Sequence, residues 1–110
     1  MSDLRLLYIT CPDPVVARAI ATAVVDERLA ACANLIPGTT SIYRWEGAVQ
    51  EATETVLILK TREARAVACV ERVRALHPYT TPCILVLPVE AAAPAFAAWV
   101  GEQTRKPGPA

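Results

Sequence analysis

The sequence predicts an α+β domain of βαββαβ order with one more helix at its C-terminal end. Strand-length apolar runs bounded by Pro, Gly or charged residues occur at residues 4–10, 31–36, 49–61 and 83–88. Between the first and second runs, and between the third and fourth, apolar residues recur at helical spacing. The two middle runs are separated only by a short polar stretch with Gly47, which leaves room for a hairpin and none for a helix.

Taken in order, residues 4–10 are mostly apolar and end at Cys11-Pro12, as a buried strand would. Asp13-Pro14 then opens a helix, because Asp accepts from the free N–H groups of a first turn and Pro is tolerated there. Val16, Ile20, Ala23 and Val24 form its apolar stripe with Arg18, Thr22 and Asp26 opposite, and the helix is expected to reach about Leu29. Residues 31–36 make the second strand, closed by Pro37-Gly38, and residues 41–46 alternate and continue it after a bend. Residues 49–61 return as the other arm of a long hairpin. Within them Val56-Leu57-Ile58-Leu59 has no polar alternate, so both faces of this strand need cover. A second helix is expected over residues 61–76 with Val67, Val70 and Val73 inward, stopped by His77-Pro78. Residues 83–88 form a last strand, expected to be central beside the first. Residues 94–103 form a short helix with Phe96, Trp99 and Val100.

Two βα units joined by a hairpin specify the split βαβ, ferredoxin-like fold, with an antiparallel sheet, both main helices on one face and the other face bare. A single domain is expected over residues 1–103, followed by a flexible tail at 104–110 rich in Pro and Gly.

Composition narrows the function. Within 110 residues, 11 basic and 11 acidic side chains leave no net charge, which argues against a nucleic-acid partner. Hydrophobic residues make up 54%, too many for a disordered chain. Much of that is Ala, and so small a domain buries a modest share of its surface, which favours self-association. No apolar run approaches the roughly 20 residues of a membrane span, so no membrane insertion is expected. The acidic start Met1-Ser2-Asp3-Leu4-Arg5 does not resemble a secretion signal, and the cytoplasm is the expected compartment. The four cysteines form no CxxC and suit free thiols, with Cys32 and Cys69 set in Ala-rich apolar sequence as small hydrophobes.

An enzyme is not expected. There is no G-x-S-x-G elbow, His77 is the lone His, and the four glycines are too scattered for a phosphate loop. Glu51 and Glu54 read as solvated strand charges. The predicted topology brings Cys11, Cys83 and the His77-Pro78-Tyr79 segment to one rim of the sheet. Thiolate and imidazole suit copper and zinc, so His77, Cys11 and Cys83 are the candidate metal ligands. Three rim residues with unrelated packing roles fit the same placement. Cys11 also precedes a helix N-terminus, which favours thiolate, although Pro12 and Pro14 remove N–H groups that would help. Tyr43 and Trp45, on one face of the hairpin, either cover the fold or anchor a contact between subunits.

Several blocks then resemble one family. Glu27-Arg28-Leu29-Ala30-Ala31-Cys32-Ala33-Asn34-Leu35-Ile36-Pro37-Gly38, Thr40-Ser41-Ile42-Tyr43-Arg44-Trp45-Glu46-Gly47, Ile58-Leu59-Lys60-Thr61 and His77-Pro78-Tyr79 are similar to the CutA divalent-cation tolerance family, over about Leu6 to Val100. The resemblance implies a homotrimer of ferredoxin-like subunits whose long hairpins, with Tyr43 and Trp45, reach across neighbours. It also implies tolerance of copper and other divalent metal ions, with His77 at the position implicated in copper binding. After His-Pro-Tyr the family usually continues with Glu or Gln, a small residue, Pro and Glu. Here Thr80-Thr81-Pro82-Cys83 removes both acidic positions and moves the rim toward soft metals. Two alternatives stand beside a metal-tolerance trimer. One is a PII-like signalling module that takes a small molecule or nucleotide between subunits, with Arg44 and Lys60 as its candidate basic residues. The other is a structural trimer that anchors a protein partner.

Overall fold

The computed structural model describes residues 2–105, so most of the expected tail, 106–110, lies outside the described residues. The elements are β1 (Leu4–Cys11), α1 (Pro14–Asp26), β2 (Cys32–Trp45), β3 (Ala48–Arg62), α2 (Glu63–Leu76), β4 (Ile84–Pro88) and α3 (Pro94–Gln103). The strands form one sheet in the order β2-β3-β1-β4, with every neighbouring pair antiparallel. This is the expected α+β, ferredoxin-like arrangement. The last strand is not central, however. β4 and β2 are the edges, and β1 and β3 lie inside. Each βαβ crossover skips one strand position, and the strand of the other unit fills it, so the first strand of each unit ends up in the middle.

Register separates the two faces. Across β1–β3, Leu7 pairs with Leu59 and Ile9 with Leu57; across β1–β4 they pair with Val86 and Ile84. Leu7, Ile9, Leu57 and Leu59 are fully buried with Ile20 and Val24 of α1 and Cys69 and Val73 of α2. Strand alternation sends Leu6, Tyr8, Ile58, Leu85 and Leu87 to the opposite face. That face is not wholly bare. At one end α3 buries Val100 against Leu4 and Ala31, and Arg62 Nε donates to Thr104 Oγ1 at 3.0 Å. Thr104, where the tail was expected to begin, is therefore buried. The rest of the face keeps Ile36, Leu85 and Leu87 exposed.

Local chemistry explains the boundaries. Asp13 caps α1 by accepting from the Val16 N–H at 2.9 Å, with Pro14 in the first turn. The helix ends at Asp26 rather than Leu29 because Arg28 turns left-handed, with φ 61°. Thr61 stays in β3, where its hydroxyl donates to the Leu29 carbonyl at 2.7 Å, and α2 starts two residues later. Its buried stripe is Ala66, Cys69 and Val73, whereas Val67 is exposed. At about 100° per residue, Val67 lies roughly 120° around the helix from Val73.

Pro37-Gly38 does not end β2. It forms a bulge, with Gly38 at φ 75°, between the Ile36–Val56 and Thr39–Glu54 pairs. One extra residue on β2 reverses its alternation. Beyond the bulge Ser41, Tyr43 and Trp45 share the face of Glu54, the face turned away from α1 and α2. The hairpin closes at Glu46-Gly47, both with positive φ (50° and 79°), as a tight two-residue turn requires.

Candidate functional site

The rim at the C-terminal end of β1 gathers the candidate residues. Residues preceding proline avoid helical geometry, so α2 stops as His77 meets Pro78. The His77 backbone N–H still donates to Val73 O at 2.9 Å, while its ψ of 136° swings the chain away. The turn folds the imidazole inward to 7% exposure. There the Tyr79 backbone N–H donates to Nδ1 at 3.2 Å. Nδ1 is thus the acceptor nitrogen, and Nε2 carries the proton and donates to the Thr10 carbonyl at 2.8 Å. The His77 and Tyr79 rings lie 4.8 Å apart, centre to centre, and tilted by 55°.

Tyr79 extends the network. Its hydroxyl donates to Glu54 Oε2 at 3.1 Å. Burial, then the hydrogen bond and charge of Glu54, push the phenol up to about 12. Glu54 is not the solvated strand charge expected from sequence. It keeps 9% of its surface exposed, and no Lys or Arg pairs with it among the described residues. It shares the alternation of Val56 and Ile58 on the face turned away from the helices, and Tyr79 reaches over to it there.

Cys11 lies one residue beyond Thr10, buried, paired with Thr55 of β3. Burial, helped by the charges of Glu54 and Asp13, pushes its thiol up to about 11. It therefore stays protonated at neutral pH, and the adjacent α1 N-terminus does not make it a reactive thiolate. Cys69 is a core thiol, pushed up to about 12 by burial. Cys83 is exposed just before β4, and Cys32 is half-buried. All four thiols are free.

His77 bonds to the Thr10 carbonyl, Cys11 follows Thr10 in β1, and Cys83 lines the same cavity as Thr10, each with different availability. Both nitrogens of His77 are engaged, Cys11 is buried and protonated, and Cys83 is open. Among the described residues no group of three or more His, Cys, Asp or Glu side chains is placed to hold a metal ion.

In front of this network lies a cavity of about 650 Å³. Tyr43, Trp45 and Tyr79 supply its aromatic wall, Glu54 its acidic group, and Cys83 its thiol. Ser41, Thr10 and the 80–81 loop add hydroxyls. The β2 bulge makes this cavity, since it turns Ser41, Tyr43 and Trp45 to the Glu54 side. Arg44, on the other face of the strand, and Lys60 do not line it. Sequence reasoning missed Glu54, Thr10 and Ser41 as site residues.

Residues 5–103 match the family described as CutA1 divalent ion tolerance protein. The divalent-cation tolerance protein CutA of Thermus thermophilus is 48% identical over 100 residues, which cover 91% of this chain and 97% of that protein. A CutA homolog of Xenopus laevis is 44% identical over 91% of this chain and 66% of its own length. The chain thus spans nearly all of the bacterial relative and just under two thirds of the amphibian one. Among solved structures, CutA of Xylella fastidiosa superposes with a TM-score of 0.93 at 36% identity, covering 94% of this chain and all (100%) of that one.

Proposed function

The chain belongs to the CutA1 divalent ion tolerance family, and we propose that it acts as a cytoplasmic homotrimer that binds a copper-type cation in the response to metal ions, without enzymatic activity. The observation that carries the assembly is the apolar surface a lone chain leaves in water. Ile42 is 68% exposed, Val49 65%, Leu85 53% and Ile36 49%, along the hairpin and the uncovered part of the sheet. Ile42 and Val49 lie on one face of the hairpin and Ile36 and Leu85 on the opposite face of the sheet, and exposed apolar strand surface of this extent marks an interface. A long hairpin of 14- and 15-residue strands can reach a neighbouring subunit, and Tyr43 and Trp45 are its aromatic anchors. Four free cysteines suit a reducing compartment. Among the described residues no helix is long and apolar enough to cross a membrane.

For the metal, His77, Cys11 and Cys83 remain the proposed ligands, on the strength of their shared rim and of soft-donor chemistry. As one chain arranges them, the three do not fit a closed copper or zinc site. Cys83 offers an accessible thiol, whereas His77 must give up Thr10 O or the Tyr79 N–H before either nitrogen is free. His77→Ala and Cys83→Ser are therefore the informative variants.

Native mass spectrometry of the metal-stripped protein, with one equivalent of copper per chain under reducing conditions, tests both halves. The expected result is a trimer that takes up three coppers, with affinity lowered at least about tenfold in His77→Ala and in Cys83→Ser. A trimer that takes up none, or a ragged ladder of adducts, would remove copper and leave the assembly. A monomer would remove the assembly.

A further inference from the structure

The cavity beside Tyr79 holds one group, the carboxylate of Glu54, that neither trimer assembly nor soft-metal binding uses. At about 650 Å³ it falls within the range of small-molecule sites, about 300–1,000 Å³. Its aromatic wall is half-open: Tyr43, Trp45 and Tyr79 are 43%, 53% and 39% exposed. Its one acidic group, Glu54, is nine-tenths buried and has a single hydrogen-bond donor, Tyr79 Oη, on Oε2, with no paired base among the described residues. A carboxylate so far withdrawn from water is costly without an opposite charge nearby.

From this arrangement we infer that the cavity is a binding site for an organic ammonium compound. The positive nitrogen sits against the Trp45, Tyr43 and Tyr79 rings and is balanced by Glu54. Aromatic faces attract a desolvated ammonium group through their quadrupole, and the carboxylate supplies the countercharge. The hydroxyls of Ser41 and Thr10 suit a ligand that also carries a hydroxyl. A nucleotide is the wrong ligand here, because no Lys or Arg lines the cavity to meet its phosphates. A bare hard cation is equally ill-served by a single carboxylate, since such ions take six or more oxygens. The inference does not depend on copper.

Choline is a suitable probe, and its isostere with carbon in place of nitrogen is the neutral control. A Trp99→Phe background leaves Trp45 as the single tryptophan reporter, since Trp99 lies on the distant α3. Titrations are done on the assembled protein in the presence of a chelator, which keeps the outcome separate from that of copper. Choline is expected to shift Trp45 emission saturably, with the neutral isostere and the Glu54→Gln variant each at least about tenfold weaker. ATP is expected to leave the emission unchanged. No saturable response to choline, equal binding of the isostere, or full binding in Glu54→Gln would each overturn the inference; so would a cavity filled by a neighbouring subunit, which gives no response. If Glu54→Gln fails to fold, as thermal melting will show, Tyr43→Leu at an exposed position must weaken choline instead, and undiminished binding there also overturns it.

Discussion

Leu57 and Leu59 have no exposed surface, whereas Leu85 and Leu87, two strands away in the same sheet, keep 53% and 42% of theirs. The residue type is the same and the neighbouring sequences are equally apolar, so hydropathy does not distinguish them. Register does. Leu57 and Leu59 face α1 and α2 in a core sealed by the chain itself. Leu85 and Leu87 face the side where α3 covers only one end. The sealed face holds the chain together, and the open face, with the hairpin, keeps apolar surface exposed. The site lies where the two meet: Cys11 on the sealed side, and Glu54, Tyr43 and Trp45 on the open one.

The strongest way to break this contrast is to truncate one residue on each side. Leu59→Ala is expected to destabilise the chain by about 2–5 kcal/mol, because the rigid core around it cannot collapse into the space; urea denaturation measures it. Leu85→Asp is expected to leave the subunit's circular dichroism intact and to shift the assembly toward monomer in sedimentation. Equal destabilisation by both substitutions would mean that the open face is part of the subunit's own core.

A smaller effect comes from pH. Cys11 and Cys69 rise from an ordinary 9.0 to about 11 and about 12 on the sealed side. Between these values the folded chain keeps thiol protons that the unfolded chain releases, so stability falls as pH rises. The contribution is complete below pH 9 and is lost progressively toward 11 and 12. The urea midpoint is expected to decline above pH 9, and more shallowly in Cys69→Ala than in the parent. Matching slopes in the two proteins would refute a thiol origin. Cys83 is exposed whereas Cys11 and Cys69 are buried, and under native conditions Cys83 is expected to alkylate well before either.

The smallest expected effect lies on the helices' outer surface. Arg72 meets Glu27 at 2.9 Å, and both side chains are well exposed. Arg72→Ala is expected to leave the melting temperature unresolved from the parent at about 0.15 M salt. A clear drop would show that this pair ties α1 to α2 more tightly than solvent screening allows.

Much of this was legible before any coordinates. Asp13-Pro14 marks a helix start whose cap forms as expected, and Gly47 marks the hairpin turn. Residues 56–59 are apolar on both faces, in a strand that proves to be internal. The misplacements share a cause. Val67 was assigned inward because three valines at i, i+3 and i+6 look like a stripe, yet three-residue steps drift around a 3.6-residue helix. β4 is expected at the centre beside β1 from the topology, yet each crossover skips one strand position, which leaves β4 at the edge. Glu54 was assigned to solvent as a charge on a hairpin, since its burial depends on Tyr79, 25 residues away.

The sequence by itself determined the order and type of the elements, because helix period, strand alternation, caps and turn residues are all set by neighbours within a few positions. It also determined the family, through blocks specific enough to stand alone. Only the tertiary structure decided which face each residue serves. The bulge at Pro37-Gly38 inserts one residue against β3 and turns Ser41, Tyr43 and Trp45 toward Glu54. The pairing of β1 with β3 buries Cys11, and the turn after α2 commits both nitrogens of His77 to backbone partners. These outcomes depend on a register between distant segments, and a shift of a single residue would send every side chain beyond it to the opposite face.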